Sequence, residues 1–134
     1  MIHFESFRAQ NGLPIYLQIL RYIKRGIVSG DITDGDALPS RRMLSAMLGV
    51  NPNTVQKAYR ILEEEGLITS HAGAKSVIVL TEGRRAQIRR ELLQDDVRET
   101  AFALRGMGLS LEEAISLLTQ CWDLPSLSDE EESE

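Results

Sequence analysis

The residues best placed to do chemistry lie in the run NPNTVQKAYR, positions 51 to 60. Asn53, Gln56, Lys57 and Arg60 recur at three- and four-residue intervals, so on a helix they share one face. Val55, Ala58, Tyr59 and Leu62 take the opposite face with the spacing of a buried stripe. Two amides and two cations in register match what a DNA major groove offers, since amides pair with adenine and cations with guanine or phosphate. A merely solvated helix face is also polar, and periodicity alone does not separate the two readings. The surroundings favour the first: no acid interrupts this face before Glu63, and Arg41 and Arg42 open the preceding helical segment.

Other chemistries find little support. His3, His71 and Cys121 are the only histidines and cysteine, and their spacing matches no metal-ligand pattern, so no metal or other cofactor is expected. Cys121 beside Trp122 reads as a helix-packing residue rather than a nucleophile. Asp95-Asp96 and Glu112-Glu113 are sequence neighbours, which point to different helix faces and form no carboxylate dyad. The glycines are scattered through turns, without a phosphate-cradling loop. An enzyme is therefore not expected. A lone cysteine excludes an intrachain disulfide and fits a reducing cytoplasm. No apolar run reaches the length of a membrane span, and the N-terminus MIHFESFRAQ lacks a secretion signal.

The net charge of −5 taken as a sum disfavours nucleic acid, but its distribution does not. Residues 1–80 carry nine Lys or Arg against seven Asp or Glu, a net of +2; residues 81–134 carry six against thirteen, a net of −7. Phosphate binding depends on where the positive charge sits.

The elements that must position these residues are legible in turn. A first helix is expected from Pro14 to Ser29, burying Tyr16, Ile19, Leu20, Ile23 and Ile27, with Pro14 in its first turn and Gly30 at its exit. The loop DITDGDALP follows. A shorter helix begins after the N-cap Ser40 and carries Leu44, Met47 and Leu48 on one side. Gly49 and Val50 connect it to the helix of the polar face, which Asn51 caps, Pro52 opens and Gly66 stops. Residues 67–71 and 76–80 read as two strands joined by Ala72-Gly73-Ala74-Lys75. From Thr81 a helix of about 24 residues places Leu93, Val97, Ala101 and Leu104 on one face, until Gly106-Met107-Gly108 breaks it. Ser110 and Glu113 form a capping box for a last helix, striped by Leu111, Ala114, Ile115, Leu118 and Trp122. The expected fold is mainly α with a small β-hairpin wing: a winged helix-turn-helix over 1–80, a helical region over 81–125 and a disordered acidic tail over 126–134.

The run LPSRRMLSAMLGVNPNTVQKAYRILEEEGLI resembles the DNA-binding motif of GntR-family transcription regulators, and the phrases LPIYLQI and DGDALPSRR fit the same family. The phrase VNPNTVQKAYRILE and the short C-terminal part are most similar to the YtrA-like subfamily. The resemblance covers residues 12–80 well and 81–134 only in length and helical pattern. It implies that Arg42 contacts DNA from the second helix, beside Arg41, and that Ser40 reaches a phosphate. It implies base and phosphate contacts from Asn51, Asn53, Thr54 and Gln56, and a minor-groove approach at the wing-tip Gly73. Two departures limit the transfer. Pro52 stands where many members have an arginine, and the wing reads Gly73-Ala74-Lys75-Ser76-Val77 instead of Gly-x-Gly followed by Thr and an aromatic. Lys75 offers a replacement phosphate contact.

The expected partners are a double-stranded DNA operator and a second copy of the chain, which together make a homodimeric repressor on an inverted repeat. The dimer would form through Leu93, Val97, Ala101, Leu104, Leu111, Ile115, Leu118 and Trp122. Two modules one DNA turn apart gain avidity that one small module lacks. The same stripes could instead fold back onto the winged domain. A winged-helix module that binds protein rather than DNA is the alternative function, and its mark would be indifference to salt. A third reading adds a small-molecule effector, although nothing in residues 81–134 specifies one.

Overall fold

The computed structural model describes residues 1–10, 12–70 and 75–125. Five helices and a two-stranded hairpin follow in the order α1 (Ile15–Ser29), α2 (Arg41–Leu48), α3 (Pro52–Glu64), β1 (Ile68–Thr69), β2 (Val77–Ile78), α4 (Glu82–Gly106) and α5 (Leu111–Cys121).

Local chemistry fixes the helix ends. Pro14 is the N-cap of α1, one residue outside the first turn where it was expected; its fixed φ of −56° with ψ of 139° holds the chain extended until Ile15. Gly30 closes α1 in the left-handed conformation, φ 89°, and Gly49 does the same for α2 at φ 66°. The Ser40 hydroxyl accepts from the Met43 N–H (3.1 Å), and Asn51 Oδ1 accepts from the Asn53 N–H (2.8 Å).

One core joins the first three helices to the hairpin. Ile19, Ile23 and Ile27 of α1, Leu44 of α2, and Val55, Ala58, Tyr59 and Leu62 of α3 are all buried, together with Leu67, Ile68 and Ile78. Met47, expected on the buried side of α2, is instead 51% exposed. The inward stripe of this short helix centres on Leu44, Ser45 and Leu48, and the Ser45 hydroxyl donates to the Val50 carbonyl (2.6 Å), which leaves Met47 on the flank.

The hairpin is antiparallel, with Ile68 opposite Ile78 and Thr69 opposite Val77. Its strands are shorter than expected, and the backbone of the loop between α1 and α2 pairs with the other edge of β2: Leu38 N–H donates to Ser76 O (2.9 Å) and Ile78 N–H to Asp36 O (2.8 Å). Of the expected strand ends and tip, His71, Ala72, Gly73 and Ala74 lie outside the described residues, as does the 126–134 tail. The first ten residues, which the sequence left unassigned, complete the domain. Ile2 and Phe4 are buried, Phe4 stacks on Tyr22, and the buried Gln18 amide binds the backbone of Gln10 and Leu13.

The chain divides into two compact units, one of residues 1–93, which takes in the start of α4, and one that begins at residue 94. Ile88 is buried in the winged-domain core and Leu92 packs against it. Thr81 Oγ1 caps this helix by accepting from Arg84 N–H (3.1 Å). The arginines beside that cap reach two other helices: Arg85 donates to the Ile27 and Val28 carbonyls at the end of α1 (3.0 and 3.1 Å), and Arg84 donates to the Glu65 carbonyl at the end of α3 (3.3 Å). Neither α1 nor α3 carries a basic residue in its own last turn, so α4 supplies the cations that their negative ends favour.

In the second unit the expected capping box is present, Ser110 accepting from Glu113 N–H while the Glu113 carboxylate accepts from Ser110 N–H. Ala114 is buried, whereas Leu111, Ile115, Leu118 and Trp122 are exposed in the single chain.

Candidate nucleic-acid interface

The interface is built on two helix N-termini. The first turns of α2 and α3 carry no acid, so their partial positive ends are unopposed. The buried faces of both helices turn the remaining residues outward: Arg42 on α2, and Asn53, Gln56, Lys57 and Arg60 on α3, are all exposed, and Thr54 is half-buried. Ser40 and Asn51 are exposed at the two caps. Asn51 Oδ1 is committed to capping, so its amide nitrogen is the group left to donate to a ligand. The Ser40 oxygen accepts from the backbone and its hydroxyl proton can turn to a phosphate. Lys75 is exposed beside β2, and Gly73 lies outside the described residues.

The structure separates two adjacent arginines that the sequence could not. Arg41 is half-buried: its guanidinium lies over the Tyr59 ring, 5.3 Å from the centroid, and pairs with Glu63 of α3 at 3.5 Å. It braces α2 against α3. Tyr59 completes this brace by donating its buried hydroxyl to the Pro39 carbonyl (2.7 Å), just before the Ser40 cap. Burial pushes the Tyr59 phenol well above its ordinary ionisation range, partly offset by Arg41, so it stays a donor.

Two other cations of the outer face are also oriented. Arg60 lies 3.8 Å from Glu64, an exposed pair one helical turn apart. The Lys57 ammonium sits 4.0 Å from the centre of the Tyr16 ring of α1. Sequence periodicity put Tyr16 wholly on the buried stripe; it is half-buried at the edge of that stripe, where it meets α3. Arg84 and Arg85 were missed as well. Their signal was two cations in the first turn of a helix, where the dipole favours acids.

The model of the bacterial regulatory proteins of the gntR family matches residues 15–78, the span of α1 to β2 that holds these caps and faces. The HTH-type transcriptional repressor YtrA of Bacillus subtilis (strain 168) is 38% identical over 91 residues, covering 63% of this chain and 70% of the relative. The chain belongs to the GntR family. A GntR family transcriptional regulator from Listeria monocytogenes shares the architecture with a TM-score of 0.71 at 30% identity, over 84% of this chain and 98% of that one. YtrA from Sulfolobus acidocaldarius, a GntR-family transcription factor, gives a TM-score of 0.50 at 40% identity over 63% of this chain and 92% of that one. This GntR protein is thus a transcription regulator with a winged helix-turn-helix DNA-binding domain: α2 and α3 form the helix-turn-helix and β1–β2 the wing.

Proposed function

We propose that this GntR-family protein is a transcriptional repressor that binds an inverted-repeat operator as a homodimer. The observation that carries the dimer is the unpartnered apolar surface of its second unit, where Val97 is 65% and Trp122 80% exposed, with Phe102, Leu111, Ile115 and Leu118 also open. So many large apolar side chains in one small unit favour a partner surface, and a second copy supplies a matching one. The repressor role is supported by the similarity to the B. subtilis repressor.

In this reading Arg42, Asn53, Thr54 and Gln56 position or read the bases from the major groove. Lys57, Arg60 and Lys75 chiefly neutralise phosphates, and Ser40 and Asn51, at the helix caps, donate to the DNA backbone. Gly73 would approach the minor groove from the wing. The site of action is the cytoplasm; among the described residues no helix is long and apolar enough to cross a membrane.

The test joins light scattering to footprinting on genomic fragments selected by the protein. The expected result is a dimer protecting two half-sites about one DNA turn (~34 Å) apart. The double variant Ile115→Asp/Trp122→Asp should be monomeric and lose operator binding while keeping weak, salt-sensitive binding to any duplex. A monomer that protects a single site, or binding indifferent to salt and sequence, would refute the proposal.

A further inference from the structure

How α3 holds its phosphate-binding cation rests on the reading of Lys57 as a phosphate contact. Lysine is a flexible four-carbon stem with a strongly hydrated head, and immobilising it on a ligand sacrifices much rotamer freedom. Of the cations on the α2–α3 surface, Arg41 is paired with Glu63 and Arg60 lies beside Glu64. Lys57 differs. Its ordering contact is not a carboxylate but the face of an aromatic ring, with Nζ 4.0 Å from the centroid of Tyr16.

The difference matters for an anion. A carboxylate that orders a cation also neutralises it, and must be displaced before a phosphate can bind. An aromatic face attracts the ammonium through its quadrupole and leaves the full positive charge in place. Tyr16 is held with its helix, because α1 is anchored by Ile19 and Ile23 in the core and by the Gln18 amide, which makes three hydrogen bonds to the backbone of Gln10 and Leu13. The ring is therefore a platform on one helix that holds a charge belonging to another.

We propose that Tyr16 is a positioning residue for DNA binding: its ring holds the Lys57 ammonium in place, uncancelled, for a backbone phosphate. The hydroxyl takes no part, and no base contact is involved, so the effect is the same on every sequence.

The test uses the full chain and a mixed-sequence 30-base-pair duplex, with affinity measured by fluorescence anisotropy across a salt series. Lys57→Ala should lower affinity and reduce the salt slope by about one unit, the loss of one phosphate contact. Tyr16→Leu, which keeps apolar bulk, should weaken binding about threefold to fivefold. Tyr16→Phe keeps the ring and should bind as the wild type does. In the Lys57→Ala background Tyr16→Leu should have no further effect, since the platform then has nothing to hold. Thermal melting of each variant accompanies the titrations. If Tyr16→Leu acts equally with and without Lys57, or Tyr16→Phe loses as much as Tyr16→Leu, the positioning role is wrong. If Lys57→Ala itself changes neither affinity nor slope, the phosphate assignment fails instead.

Discussion

Arg41 and Arg42 are neighbours with the same side chain, yet replacing each with alanine should have opposite consequences. Arg42 is exposed on α2, with no ion pair or hydrogen bond among the described residues, so Arg42→Ala should leave the melting temperature within a degree or so and cost about 1–3 kcal/mol of operator binding. Arg41→Ala removes three things. Its pair with Glu63 is about a third exposed on both sides and is worth no more than about 1 kcal/mol after solvent screening. Its contact with the Tyr59 face adds roughly 0.5–1 kcal/mol. Against these, its Nε is buried without a hydrogen-bond partner among the described residues, and deleting that group relieves about 1 kcal/mol. The balance is a destabilisation of at most about 1 kcal/mol, a drop of up to several degrees for a domain of this size. Calorimetry and anisotropy on both variants, with wild-type-selected DNA, make the comparison. The reasoning is refuted if Arg41→Ala binds as poorly as Arg42→Ala while melting normally, or if Arg42→Ala binds as tightly as the wild type.

Three further outcomes rest on the packing. Tyr59→Phe strands the Pro39 carbonyl in the core and should lower stability by about 1–3 kcal/mol in denaturant titration. Because burial raises the folded-state pKa of Tyr59 above its ordinary 10.0, the unfolded chain loses this proton first as pH rises. The associated stability is complete below pH 10 and declines above it, so the wild type should lose its advantage over Tyr59→Phe as pH climbs past 10; a constant difference would show that the phenol is not protected. Arg85→Ala removes two charge-assisted bonds to the end of α1 and should cost about 1–3 kcal/mol of winged-domain stability, seen as faster amide exchange at Gly30 and Ile32. Unchanged exchange there would mean that α4 adds nothing to the domain.

The helices were legible because their caps and stripes are local: Ser40, Asn51 and Ser110 each cap the helix their position announced. The outward set Arg42, Asn53, Gln56, Lys57 and Arg60 could be read from the same periodicity, since a buried opposite face dictates it. What escaped the sequence depends on contacts between segments distant in the chain. Nothing local in Ile2 or Phe4 announces that the N-terminal segment enters the core, which requires the Tyr22 ring and the Gln18 amide to receive it. Arg41 and Arg42 have the same local environment on paper, and only the position of Glu63 and Tyr59 across the α2–α3 contact tells them apart. Nor does anything local in Ile88 announce that a helix starting after the wing is buried in the core before it.

The end of α3 has a consequence for anyone who would change what this protein reads. Glu63, Glu64 and Glu65 crowd the negative end of its dipole, and relief comes from elsewhere: Lys24 of α1 lies 3.0 Å from Glu65, Arg41 of α2 holds Glu63, and Arg84 of α4 donates to the Glu65 carbonyl. The helix is therefore not a portable cassette. A donor helix from another regulator, spliced in at residues 52 to 65 with a neutral or basic end, would leave Lys24 and Arg41 facing no counter-charge, with only the backbone partner of Arg84 retained. Retargeting should accordingly be confined to the outward positions of the first two turns, with the acidic end kept as the socket that holds the reader in its frame.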